Sequence, residues 1–347
     1  MCYYTSVMKH SFYTGSYGKA GENSILYCQI DPAQNIIKAA SVCATADHPS
    51  FILKHPNGNI IYAVRELTSE GGLNVFKISP EGLILIKTLP TMGKDPCYLS
   101  LSEDLRFLLV INYTGGSFSL FRLDGEGIPA ELTATVRHEG SGPGKDRQEA
   151  AHPHCGKFIG DRLYITDLGM DCMFCYQLDP VCGSLAEIYR LHFPAGSGPR
   201  HICKPSSDNI LYVNGELSSQ VFKVQLLKNT AKITACAGTL PDGFKGENIT
   251  AAIRLDEDEK FLFVSNRGDD SIAMFRIGEN GALMLTSVCK TGGRWPRDFD
   301  IFGDIIIIAN QNSNSITSLK IDHDTGIIKP APLFYEAVQP TCIMKEI

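Results

Sequence analysis

The sequence predicts an all-β chain folded as a seven-bladed β-propeller with four antiparallel strands per blade, and three observations lead there. A proline stands just ahead of a short apolar segment at Pro49, Pro96, Pro153, Pro199, Pro296 and Pro340, with gaps of 47, 57, 46, 97 and 44 residues. The widest gap holds two units, the second opening near Thr250-Ala251-Ala252-Ile253 without its proline. About a dozen residues after each start comes an apolar run with a polar close: IIYAVRE (60–66), FLLVINY (107–113), LYITDL (163–168), LYVNGE (211–216), FLFVSNR (261–267) and IIIIANQ (305–311). A third segment follows quickly (LNVFKI, FSLFRL, MFCYQL, VFKVQL, IAMFRI, ITSLKI), and SILYCQI near the N-terminus makes it the seventh of its kind.

Each element has a physical reason. Proline fits the first residue of a strand, where its missing N–H costs no ladder bond. The second segments are continuous Ile, Leu, Val and Phe, which predicts strands buried on both faces between neighbouring blades. The fourth segments, such as LILIKTL, ELTATVRH and LMLTSVCK, are more polar and read as outer strands. Connections such as Asp124-Gly125-Glu126-Gly127 and Glu279-Asn280-Gly281 supply hairpin turns. The N-terminal unit lacks a proline-led first strand, while PTCIMKEI (340–347) stands alone at the other end. Circular closure resolves both: the C-terminal segment becomes the inner strand of the blade begun at the N-terminus, leaving no blade unpaired at the seam. The repeat continues without a linker or a composition shift, so 1–347 is expected to be a single propeller domain.

Lys and Arg total 32 against 38 Asp and Glu, a net charge of −6. This balance argues against a nucleic-acid partner, which calls for a basic stripe or domain. It leaves room for positive charge concentrated in a pocket. No apolar run approaches the 18 or more residues of a membrane span. The N-terminal stretch MCYYTSVMKHSFYTGSYG lacks the basic head and apolar centre of a signal peptide, so a cytoplasmic location is expected. Twelve cysteines in a chain of this kind read as free thiols, most of them buried. The CxxC at Cys172–Cys175 has no second pair or matching histidines to complete a metal site.

Antiparallel strands alternate their ends between two faces, so the start of each first strand and the end of each second strand share one face, closest to the central axis. The positions after the prolines are Ser50, Cys97, His154, Arg200, Arg297 and Thr341, with Ala251 in the unit lacking proline. The ends of the second strands give Glu66, Asn112, Asp167, Glu216, Arg267 and Gln311. A purely structural repeat should hold similar residues at equivalent positions. This ring instead mixes a histidine, three arginines, two glutamates and an aspartate, which marks it as a functional face. Structural roles compete at several positions: Asp167, before Leu168-Gly169, also suits a turn, and Glu66 and Gln311 suit the rim. His152 and His201, one residue off the channel positions, are expected in the blade packing by strand alternation. The long insertion Glu139–Ala151 opens beside His154 and is expected to act as a mobile cover.

The segment AAHPHCGKFIGDRLYITDLGMD (150–171) resembles the HPH…DLG.D segment of the seven-bladed lactonase family. Gly198-Pro199-Arg200-His201, Asn214-Gly215-Glu216, Ser265-Asn266-Arg267-Gly268 and Gly292–Phe299 are similar to further signatures of that family, and the likeness spans nearly the whole chain. The family includes propeller-type bacterial 6-phosphogluconolactonases and fungal carboxy-muconate lactonizing enzymes. The resemblance implies a catalytic set of His154, Arg200, Glu216 and Arg267. Many relatives carry an acidic residue where this chain has Ala252. The implied reaction is hydrolysis of a sugar lactone, 6-phosphogluconolactone first, with no metal or cofactor. Arg297 and Arg200 are expected to hold the substrate's anion and Arg267 to face the developing oxyanion. His154 is the first candidate base, because an unperturbed imidazole titrates near neutral pH, and Glu216 is the second. Asp167, Gln311, Glu66 and Asn112 complete the expected binding surface. Two alternatives follow from the same residues: a cycloisomerase acting on a carboxylated diene, and a non-catalytic propeller that binds a peptide or protein partner.

Overall fold

The computed structural model describes residues 10–31, 36–206 and 209–346. The stretch 1–9, on which the signal-peptide reading partly rests, and Ile347 of the last predicted strand lie outside them. The chain forms seven four-stranded antiparallel sheets arranged as a propeller. Their inner strands are Ile52–Lys54, Pro96–Leu101, Pro153–Ile159, Pro199–Cys203, Ile249–Leu255, Pro296–Phe302 and Pro340–Lys345, each packed against the next around the axis. The unit without proline is a regular blade built on Ile249–Leu255.

Closure follows the predicted route. Pro340–Lys345 pairs with His10–Ser16, with Tyr13 opposite Met344 and Gly15 opposite Cys342. The seam is reinforced by Glu346, whose carboxylate accepts hydrogen bonds from Ser11 Oγ (2.7 Å), Tyr27 OH (2.9 Å) and Lys54 Nζ (2.9 Å). The second strands Phe107–Asn112 and Ile305–Asn310 are buried along their whole length, whereas outer strands such as Gly82–Pro90 are largely exposed. Each fully buried aliphatic or aromatic side chain contributes about 1.5–3 kcal/mol, so the blade interfaces are the main source of cohesion. All eleven cysteines among the described residues are free, and Cys182 and Cys236 are exposed rather than buried.

Two features position the site. Six inner strands carry a register shift near their start, at Pro96/Tyr98, Pro153/Cys155, Pro199/Ile202, Thr250/Ile253, Pro296/Asp298 and Pro340/Cys342. A bulge sets two residues against one on the neighbouring strand and suspends strict alternation, so consecutive side chains can both reach the channel. The second feature is a repeated polar tie at the ends of the second strands. Asn112 Nδ2 donates to Thr91 O (2.9 Å), Asn266 Nδ2 to Thr239 O (3.0 Å) and Asn310 Nδ2 to Thr317 Oγ1 (2.8 Å).

Candidate active site at the head of the inner strands

Glu216, one residue beyond the second strand Ile210–Gly215, is the centre of the cluster. Its Oε2 lies 2.8 Å from both Arg200 Nε and Arg267 Nη2, and its Oε1 lies 2.6 Å from Arg147 Nη2. The Glu216, Arg200 and Arg267 side chains are 1%, 3% and 4% exposed, against 41% for Arg147. Backbone carbonyls hold the two inner arginines in place: Arg200 Nη1 donates to Ala251 O (2.7 Å) and Arg267 Nη2 to Thr250 O (2.7 Å). The Arg267 guanidinium also sits over the Trp295 ring at 5.5 Å. Burial works to raise the Glu216 pKa, but Arg267, Arg200 and Arg147 outweigh it and hold the carboxyl far below its usual range.

His154 lies beside this group, its ring edge-on to Tyr113 (5.4 Å between centroids) and to His201 (5.3 Å). Its Nδ1 is 3.9 Å from Cys97 Sγ. Burial, reinforced by Arg200 and Arg297 and opposed by Glu216, drives the His154 pKa well below 6.5. The ring is therefore neutral at pH 7, and the expectation of an imidazole titrating near neutrality does not hold in this environment. Burial likewise pushes the Cys97 thiol well above its usual range, which keeps it protonated.

A second group centres on Glu66. Tyr17 OH donates to Glu66 Oε1 (2.7 Å) and Ser50 Oγ to Glu66 Oε2. The Arg297 guanidinium lies over the Tyr17 ring at 5.1 Å and 4.0 Å from Glu66 Oε1, its only ion pair among the described residues. Arg297 thus makes no close hydrogen bond there, in contrast to Arg200 and Arg267. Gln311 is half-buried, and its Oε1 has no hydrogen-bond partner among the described residues.

Asn112 and Asp167 belong elsewhere. Pro96 pairs with Asn112 and Pro153 with Asp167, just as Pro296 pairs with Asn310, so these residues match Asn310 and not Gln311. The positions equivalent to Glu66, Glu216 and Gln311 in their blades are Tyr113 and Leu168. A one-residue slip sends a strand side chain to the other face. Asp167 is fully buried and accepts from the backbone N–H of His152 (2.8 Å) and Met170 (3.1 Å), with His138 Nδ1 at 2.6 Å. It organises a turn and anchors the insertion.

His201 departs from its expected blade packing for the complementary reason. The bulge after Pro199 brings it beside Arg200, with a ring nitrogen 3.1 Å from Arg200 Nη1. His152 stacks on Tyr113 (4.5 Å, 12°) and pairs with Glu149 at 3.0 Å. Arg147, Tyr113 and Tyr17 join the site from positions outside the predicted ring. The polar cluster Lys145–Glu149 in an otherwise Gly-rich insertion was the available signal for Arg147, but its partner Glu216 is 69 residues away.

The propeller thus carries a buried cluster of arginine, glutamate and histidine side chains at the head of its inner strands. The family model described as "Lactonase, 7-bladed beta-propeller" matches residues 11–345, and the chain belongs to that family. It is 27% identical over 344 residues to a 6-phosphogluconolactonase of Bacillus subtilis, covering 96% of this chain and 98% of the relative. It is 33% identical over 300 residues to a 6-phosphogluconolactonase of Formosa agariphila, covering 82% and 84%. Among solved structures, the periplasmic gluconolactonase PpgL of Pseudomonas aeruginosa superposes with a TM-score of 0.90 at 25% identity, covering 97% of this chain and 98% of its own. Among the described residues no helix is long and apolar enough to cross a membrane.

Proposed function

We propose that this protein hydrolyses a phosphorylated sugar lactone, 6-phosphogluconolactone to 6-phosphogluconate. The observation that carries this reading is charge. Four guanidinium groups, on Arg147, Arg200, Arg267 and Arg297, face two carboxylates, on Glu66 and Glu216, while the chain as a whole is acidic. Two formal positive charges are left over in a site where His154 and His201 are held neutral. Uncompensated buried charge is costly, and a phosphate monoester, carrying about −1.5 to −2 at pH 7, offsets it. The relatives named for the same reaction support the choice of substrate.

Arg297, the least hydrogen-bonded of the four, takes the phosphate. Arg200 is already engaged by Glu216 and Ala251 O, so it serves the frame of the site more than the anion. Arg267 faces the lactone carbonyl oxygen as charge develops on it. Water attacks the carbonyl carbon and passes a proton to neutral His154, and the nascent imidazolium is stabilised by the Glu216 charge. Collapse of the tetrahedral intermediate breaks the ring C–O bond, and His154 returns the proton to the departing alkoxide. Glu216 orients the arginines. The reaction runs in the cytoplasm, in keeping with the free thiols. Purified protein assayed on 6-phosphogluconolactone, δ-gluconolactone and a carboxymuconate provides the test. Faster hydrolysis of the phosphorylated lactone is expected; turnover of the muconate alone, or of none of the three, overturns the reading.

A further inference from the structure

We propose that Arg147 is a specificity-determining residue: an exchangeable cation, carried on the insertion, that leaves Glu216 to join Arg297 on the phosphate of the incoming lactone. This rests on the lactonase reading. The four residues at the heart of the cluster, His154, Arg200, Glu216 and Arg267, are all nearly sealed from solvent. Arg147 is the half-exposed member of the group and covers Glu216. A ligand reaching the inner residues from that side must displace it.

The insertion permits side-chain movement without loop opening. Gly142 N donates to Gln148 O (2.9 Å), Gln148 N to Gly144 O (3.0 Å) and Gly144 N to Gln148 Oε1 (3.1 Å), closing a tight turn. Gln148 Nε2 then ties that turn to Leu168 O (2.9 Å). Asp167 holds both ends of the insertion, through His138 and through the backbone of His152. The backbone next to Arg147 is therefore stapled, and the freedom that remains belongs to its long side chain. Among the described residues, the only side-chain hydrogen-bond partners of Arg147 besides Glu216 Oε1 are the Tyr113 hydroxyl contacts at 3.2 and 3.4 Å.

The exchange costs Glu216 little. Arg200 and Arg267 both lie on Oε2, so the carboxylate stays neutralised after Arg147 leaves Oε1. An arginine meeting a dianion gains a forked, charge-assisted contact stronger than its single bond to Glu216. A ligand without an anionic group offers no such gain and leaves Arg147 in place.

The test is the selectivity of Arg147→Met and Arg147→Lys, measured as the ratio of kcat/KM for 6-phosphogluconolactone to that for δ-gluconolactone. Calorimetric titration with 6-phosphogluconate and gluconate gives the matching binding ratio. Arg147→Met is expected to lower both ratios by about 10- to 100-fold, and Arg147→Lys to recover part of the loss. Equal losses on the two substrates, or an unchanged ratio, overturn the proposal while leaving lactone hydrolysis intact. A wild-type protein inactive on every lactone defeats the functional reading itself. Unchanged thermal unfolding of Arg147→Met separates these outcomes from misfolding.

Discussion

Three guanidinium groups converge on one carboxylate at Glu216, so removing that single charge disturbs all three. Glu216→Gln keeps the shape and removes the charge, leaving Arg200 and Arg267 buried without a counter-ion. Breaking a buried ion pair in this way costs about 3–5 kcal/mol. Denaturant unfolding should register a loss of that size, and kcat/KM should fall at least about 100-fold; a stable, active variant would show that the cluster is decorative. The two histidines give a pH signature. His154 and His201 both have folded pKa values well below 6.5, with burial the largest cause in each and Arg200 next. Below pH 6.5 the unfolded chain takes up protons that the folded chain refuses, so stability falls with falling pH until the depressed pKa values are reached. Each contributes up to about 1.4 kcal/mol per pH unit in that window. Unfolding midpoints at pH 7.5 and pH 5 should diverge in the wild type and converge partly in His201→Asn. For the same reason the activity profile should show no inflection near pH 6.5.

At the level of single elements, the insertion 139–151 is a stapled strap whose ends meet at Asp167. Asp167→Ala would strand the His138 imidazole and the His152 and Met170 amides. A loss of about 1.5–3 kcal/mol is expected for the charged hydrogen bonds, together with faster proteolysis between residues 139 and 151. Wild-type proteolysis rates in the variant would remove the anchor role. The strands explain where reading from sequence succeeds and slips. Apolar runs mark every blade and prolines six of the seven, because burial on two faces and a strand start impose those residues locally. The ends of the second strands were off by one in two blades, where Asn112 and Asp167 stand in for Tyr113 and Leu168. A polar residue ends the run in each case, and side-chain chemistry alone does not distinguish a loop tie such as Asn112–Thr91 from a channel ligand. His201 slipped the opposite way, because the bulge after Pro199 leaves no mark in the residue pattern.

Across the whole molecule, the ring is held shut by its last strand. Pro340–Lys345 is the inner strand of the blade that His10–Ser16 continues, and Glu346 ties three side chains from that blade and its neighbour. A chain ending at Gln339 should lose cooperative unfolding and aggregate, since it exposes the edge of His10–Ser16 and the flanks of two inner strands. Size-exclusion chromatography and thermal unfolding would reveal this; a monodisperse, cooperatively melting truncation would mean that closure contributes little. The propeller, its seven units, its seam and the candidacy of His154, Arg200, Glu216, Arg267 and Arg297 are all legible in the residue order. These follow from periodic burial and from charge at repeated positions, which local composition records. Which charges meet is settled by the folded arrangement alone. Arg147 reaches Glu216 across 69 residues, Asp167 turns inward and burial drives the His154 pKa down, because through-space distance and desolvation, not spacing along the chain, set those interactions.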